Sequence, residues 1–172
     1  NINVTLLFSV SRYIAVTNAY WAGLSTRLER GLSVRHIRSV ASFFLSRIDA
    51  LVDPRLPAEL HGMTATACAQ VAYRTYTTLV EFEQGRSLVA AGALPQRLLW
   101  ASTGTKDPAY RDTKYVEALV GTDTIVTLPR KTLDAFRDHG KTDLTLERDV
   151  EAAEAHLKGL TRLGIDLEHA AA

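Results

Sequence analysis

The stretch Asn1-Ile-Asn-Val-Thr-Leu-Leu-Phe-Ser9 reads as a buried strand, placed over 3–9, with polar residues on it. Two later segments repeat the design: Ser39-Val-Ala-Ser-Phe-Phe-Leu-Ser-Arg47 and Leu98-Leu-Trp-Ala-Ser-Thr-Gly-Thr-Lys106. Each is a short apolar run that ends in hydroxyls and, in the later two, a cation. A parallel strand covered on both faces is nearly continuously apolar, so polar groups gathered at its C-terminal end need a reason. In a β/α barrel that end is where ligands bind and chemistry happens.

Outward from these strands the pattern alternates. An amphipathic stretch from Ser11 to Arg30 has Ile14, Ala15, Ala19, Ala22 and Leu28 at helical spacing, and Gly31 is placed to cap it. A strand over 37–45 follows, and Asp53-Pro54 predicts a loop or irregular turn over 48–56. A long helical region covers 58–93, with a break expected near Gly85. A strand over 98–103 leads through Gly104 and Asp107-Pro108 to a helix at 112–120. Gly121-Thr-Asp turns into a strand at 124–128, a helix follows at 131–138, and Leu146–Leu163 is helical with Gly164 at its end. Strands separated by helices indicate a parallel sheet.

The charged share of 23% and net charge of +1 give no electrostatic case for nucleic acid or membrane binding. No apolar run approaches the roughly 18 residues of a membrane span, and no signal-peptide pattern opens the chain. Cys68 is the single cysteine and forms no internal disulfide, which fits a reducing, cytoplasmic setting. The histidines at 36, 61, 139, 156 and 169 show no metal-ligand spacing, so no metal is implied; no cofactor is expected. The acidic run from Glu147 to Glu154 reads as a solvated face.

Several positions invite chemistry, each beside a plainer reading. Asn3 and Thr5 are two apart and share a strand face, where they either serve a ligand or satisfy backbone groups at a strand end. Ser42 and Phe44 share another face, and Arg47 lies beyond the strand end, where an arginine is commonly solvated surface. Ser102, Thr103, Gly104, Thr105 and Lys106 combine hydroxyls, a glycine and a cation, which is what a phosphate needs. The glycine spacing is not that of a P-loop.

Four segments in register carry a family resemblance. Asn3-Val-Thr-Leu-Leu-Phe-Ser9, Val40-Ala-Ser-Phe-Phe-Leu-Ser-Arg-Ile-Asp49 and Leu99-Trp-Ala-Ser-Thr-Gly-Thr-Lys-Asp-Pro-Ala-Tyr110 resemble the fifth, sixth and seventh strand regions of transaldolase. Tyr115-Val-Glu-Ala-Leu-Val-Gly-Thr-Asp-Thr-Ile-Val-Thr-Leu-Pro129 continues the likeness, which extends through Thr132–Gly140 and is strongest to the longer bacterial branch. The resemblance implies an α/β fold, a (β/α)8 TIM barrel of the class I aldolase type, of which 1–172 would supply about the last four strand–helix units. Such a barrel takes typically about 250 residues. We therefore expect 1–172 to be the C-terminal half of one barrel domain, with 146–164 as a helical extension. The only methionine is Met63, so Asn1 is not expected to be a translational start.

The resemblance further implies a transferase that moves a dihydroxyacetone unit from a ketose phosphate (sedoheptulose 7-phosphate or fructose 6-phosphate) to an aldose phosphate through a lysine Schiff base, in the non-oxidative pentose phosphate pathway. That lysine, and the aspartate and glutamate that assist it, lie in family regions upstream of Asn1, so this chain alone is expected to be inactive. By the same resemblance Asn3 contacts the substrate near the imine, Thr5 holds a catalytic water and Ser42 bonds a substrate hydroxyl. Arg47 and Ser102 grip the phosphate, and Lys106 stands where other branches carry a second arginine. Phe44 takes the place of a tyrosine found in the related fructose-6-phosphate aldolases, which favours transfer over cleavage. Expected partners are sugar phosphates and either the missing N-terminal half or a second copy, needed to cover the open edges of strands 3–9 and 124–128. The alternatives are a non-catalytic half-barrel that binds sugar phosphates or a protein, and a transaldolase specialised for secondary-metabolite sugars.

Overall fold

Strand β1 (Ile2–Leu7), strand β2 (Ser39–Phe44), strand β3 (Arg97–Ala101) and the short β4 (Ile125–Val126) lie parallel in the order β1-β2-β3-β4. The structure is a computed structural model and describes residues 1–167; His169 and the terminal Ala170–Ala172 lie outside the described residues. All four expected strands are present and in the expected order, with β1 and β4 as the outer pair, although β4 is shorter than 124–128. Register places Asn3 beside Val40, Ala41 beside Leu98, Ser42 beside Leu99 and Phe43 beside Trp100. Because side chains alternate across a strand, Ala41, Phe43, Leu98 and Trp100 share one face, and Val40, Ser42, Phe44 and Leu99 the other.

The first face is the core. Ala41, Phe43, Leu98 and Trp100 are all wholly buried, in one cluster with Leu7 and Tyr13. The rings of Tyr13 and Phe43, and of Phe43 and Trp100, stand 6.1 Å apart at tilted and edge-on angles, a geometry in which aromatic quadrupoles attract.

Helix α1 (Val10–Glu29) starts where Ser9 accepts a hydrogen bond from the Arg12 N–H, the usual service of an N-cap serine. Its buried stripe is Tyr13, Thr17, Trp21 and Leu24. The stripe expected from Ile14, Ala15, Ala19 and Ala22 faces solvent instead. Burial of the larger Tyr13 and Trp21 surfaces outweighs that of small alanines, so the helix is rotated toward its aromatics.

The segment expected to be irregular over 48–56 begins as helix α2 (Leu45–Val52), followed by a 3-10 turn at Asp53–Arg55. Leu45, Ile48 and Val52 are buried at helical spacing, and Pro54 ends this helix without preventing it. Helices α3 (Thr64–Glu81) and α4 (Glu83–Ala90) divide at Phe82, whose backbone is extended, and not at Gly85. The helix expected at 112–120 contracts to α5 (Lys114–Glu117), and α6 (Arg130–His139) follows β4.

Helix α7 (Val150–Arg162) lies against α3. Thr64 and His156 share a 2.9 Å hydrogen bond, Gln70 donates to the Arg148 carbonyl at 2.7 Å, and Arg74 pairs with both Glu151 and Glu154. The acidic run thus pairs partly with α3, and its expected solvated face is only partial. No helix among the described residues is long and apolar enough to cross a membrane.

Candidate active site at the strand ends

The face opposite the core carries the polar residues singled out in the sequence. Ser42 is buried on β2 and donates its hydroxyl to Asn3 Oδ1 at 2.7 Å. Asn3 is exposed, so its amide nitrogen remains available on the open side of that bond. Thr5 is exposed as well, but β1 loses its regular pairing after Val4, and Leu6 takes a left-handed φ of 61°. A leucine rarely adopts that conformation. The irregularity therefore falls on the residues that follow Asn3.

At the C-terminal end of β2, Phe44 leads into α2. Its ring stands 6.0 Å from Phe8, and the Arg47 guanidinium carbon lies 5.1 Å from its centroid. A cation over an aromatic face is attracted by about 0.5–1 kcal/mol at an exposed site, enough to bias where an exposed Arg47 rests. The planar fork of that side chain matches phosphate oxygens.

Ser102 follows β3 in a left-handed conformation, φ 55°. Its hydroxyl is 2.8 Å from that of Ser46, and its carbonyl accepts the Ser46 N–H at 3.1 Å. Thr103 is buried and spends its hydroxyl on the Thr127 carbonyl at 2.6 Å, tying β3 to the chain after β4. Lys106 is exposed and lines a small cavity of about 100 Å³ with Ser46, Asp53, Asp107, Tyr110 and Tyr115. Asn3 and Ser42 are thus brought together directly, as are Phe44 and Arg47. Ser102 meets Ser46, a residue the sequence reading had not named. The signal for it was a second hydroxyl four positions after Ser42, at the joint between strand and helix.

A second polar cluster, also unforeseen, braces this corner. The buried Asp49 carboxylate accepts from the Ala65 N–H at 2.7 Å and the Tyr115 hydroxyl at 2.8 Å, with the Lys114 ammonium 3.6 Å away. Asp53 accepts from the Gly62 N–H at 2.9 Å and the Tyr110 hydroxyl at 2.6 Å. Lys114 donates to the Gly62 carbonyl at 2.6 Å and sits 3.6 Å from the Tyr110 ring centroid. Gly62 has φ +71°, and a Cβ there would run into the Lys114 ammonium and Tyr110 ring, so glycine alone admits this approach.

Burial pushes the Asp49 carboxyl above its usual range, although Ala65, Tyr115 and Lys114 pull the other way. Burial also lowers Lys114, against the pull of Asp49 and Asp53, and it raises the Tyr115 phenol, as do the neighbouring carboxylates. The cluster joins α2 to the β3–α5 connection, and so fixes Arg47 and Ser46 relative to Ser102 and Lys106. Its contacts span from 9 positions, Asp53 to Gly62, to 66, Asp49 to Tyr115, and no local pattern announces the pairing. Among the described residues no group of His, Cys, Asp and Glu forms a metal site.

The whole chain, residues 1–172, matches the family described as Transaldolase/Fructose-6-phosphate aldolase. Curated relatives named Transaldolase include that of Thiobacillus denitrificans, 47% identical over 179 residues, covering 100% of this chain and 50% of the relative. That of Neisseria gonorrhoeae is 45% identical over 172 residues, covering 100% and 49%. That of an Arthrobacter species is 48% identical over 173 residues, covering 96% and 47%. The chain spans about half the length of the curated relatives it matches.

Proposed function

The chain belongs to the transaldolase and fructose-6-phosphate aldolase family, and from that premise we propose that it is the phosphate-binding half of a transaldolase. In this reading 1–172 forms the C-terminal half of a single (β/α)8 barrel domain, with 146–164 as a helical extension. The four-stranded parallel sheet with its alternating helices is half the strand count of such a barrel. A ketose phosphate, sedoheptulose 7-phosphate or fructose 6-phosphate, forms an imine with a lysine amine carried outside this chain, and water leaves. The C3–C4 bond then breaks, its electron pair passes into the imine system, and the aldose phosphate departs. The retained dihydroxyacetone unit adds to a second aldose phosphate before the imine is hydrolysed. Covalent catalysis by lysine divides one hard step into two easier ones.

Residues of this chain bind and orient. Asn3 and Ser42 hold the three-carbon unit, Thr5 positions water for proton transfer, and Arg47, Ser102 and Lys106 receive the phosphate. Phe44 withholds the phenolic proton that would favour plain cleavage. The observation that supports this reading most is the 2.7 Å bond between Asn3 and Ser42, which joins two of the resemblance-implied substrate residues on the face opposite the core. The partner that completes the barrel is the other half of the family sequence or a second copy of this chain, and the setting is the cytoplasm.

Kinetics on the complete enzyme test the assignment. A charge-assisted contact is worth roughly 1.5–3 kcal/mol, so Arg47→Ala should raise KM for fructose 6-phosphate about tenfold or more. It should act far less on unphosphorylated dihydroxyacetone. Equal losses on both substrates would overturn the phosphate role.

A further inference from the structure

Resting on that assignment, we propose that Ser46 is a positioning residue for Ser102, and that their two hydroxyls act as one donor unit toward the substrate phosphate. Ser102 holds φ at 55°, a left-handed conformation that a residue with a side chain keeps only when its surroundings impose it. Ser46 supplies the imposition from both ends. Its N–H donates to the Ser102 carbonyl at 3.1 Å and its hydroxyl meets the Ser102 hydroxyl at 2.8 Å. Ser46 is the second residue of α2, where a backbone N–H has no partner within its own helix. Here that N–H is spent on fixing the neighbouring loop.

The hydroxyl pair has two protons and one mutual hydrogen bond. Either oxygen can be the donor, so one O–H is always left to point elsewhere. Ser46 is 1% exposed and cannot reach bulk water, whereas Ser102 is half-buried. The favoured arrangement has Ser46 donating to Ser102, which polarises the Ser102 O–H and turns it outward to an anionic oxygen. The other buried hydroxyl of this turn is unavailable, because Thr103 is committed to the Thr127 carbonyl. An anion at this corner therefore meets the Ser46–Ser102 pair before any other hydroxyl of the buried turn.

The test compares donor substrates in the complete enzyme, with fructose 6-phosphate set against unphosphorylated dihydroxyacetone. Ser46→Ala should raise KM for fructose 6-phosphate about fivefold more than KM for dihydroxyacetone, a contact-sized effect. The change should fall on KM more than on kcat. Ser46→Ala keeps the backbone N–H and removes only the hydroxyl. Ser46→Thr, which keeps both, should restore the ratio, and an unfolding midpoint of Ser46→Ala near that of the parent guards against a folding defect. Ser102→Ala should match Ser46→Ala, and the double variant should lose little beyond either single one, since the two act as a unit. Additive losses overturn the proposal. So does a silent Ser46→Ala beside a phosphate-selective Ser102→Ala, and the phosphate assignment then stands without it. If Arg47→Ala and Ser102→Ala are both indifferent to the phosphate, that assignment fails and takes this proposal with it.

Discussion

On the helix-facing side of the sheet, Ala41, Phe43, Leu98 and Trp100 are 0% exposed and packed with Tyr13 and Leu7. On the opposite side the same strands present Val40, Phe44 and Leu99 half-buried, Asn3 exposed, and Ser42 hydrogen-bonded to Asn3. The two faces come from the same strands, but Asn3 and Ser42 lie on the second and only apolar side chains on the first. Their covering differs too: one face has the helices of this chain, and on the other Val40, Phe44 and Leu99 stay half-buried and Asn3 exposed. The covered face therefore carries the packing, and in the proposed reading the open one turns Asn3 and Ser42 toward the substrate.

The largest expected effect tests that division of labour. Phe43→Ala should cost about 3–5 kcal/mol of unfolding free energy, the usual toll of emptying a packed aromatic site. Its neighbour Phe44→Ala should cost about 1 kcal/mol in this chain. Denaturant unfolding of the two variants would break the comparison if the losses were equal.

Next in size is the polar brace on the covered side. Asp49→Ala leaves the Tyr115 hydroxyl, the Ala65 N–H and the Lys114 ammonium without their shared acceptor. A loss of about 3 kcal/mol follows for a buried pair cut on one side. A loss no greater than that of an exposed carboxylate would show the brace to be solvated.

Two smaller effects report how dry the covered side is. Burial pushes the Cys68 thiol from 9.0 up to about 12, so the folded state disfavours the thiolate. The sign follows from a raised folded value: stability is full below the ordinary value and is lost as pH rises through the folded one. Unfolding free energy should fall between pH 9 and 12, and less steeply in Cys68→Ala. At the rim between α3 and α7, burial lowers His156 from its ordinary 6.5. Its contribution is present above that value and lost as pH falls below it, an acid-side slope that His156→Gln should flatten. A slope unchanged by the substitution would place solvent at that rim.

The strands were legible as short apolar runs between turn signals, and their parallel order followed from the family resemblance; Ser42 lies within β2, while Arg47 and Ser102 follow β2 and β3. Helix α2 was not legible, since Asp53-Pro54 marks a stop and gave no information about the turns before it. The facing stripe of α1 was misjudged by counting small apolar residues, when the bulk of Tyr13 and Trp21 decides the rotation. Nor was the Asp49–Lys114–Asp53 cluster visible: its contacts join α2, the Gly62 turn and α5, far apart in sequence. Ser46 lay between these cases. It sits beside Arg47 in plain view, but its role depends on the backbone of Ser102, which only the fold brings near.

In the proposed division of the barrel, this chain binds the phosphate end while the imine forms on a lysine outside it. Borohydride reduction in the presence of fructose 6-phosphate, followed by intact-mass measurement of the 172-residue chain, tests it directly. No adduct is expected on this chain alone, and one is expected on the complementary half when the two are combined. A stable adduct on Lys106 or Lys114 of the isolated chain would contradict it.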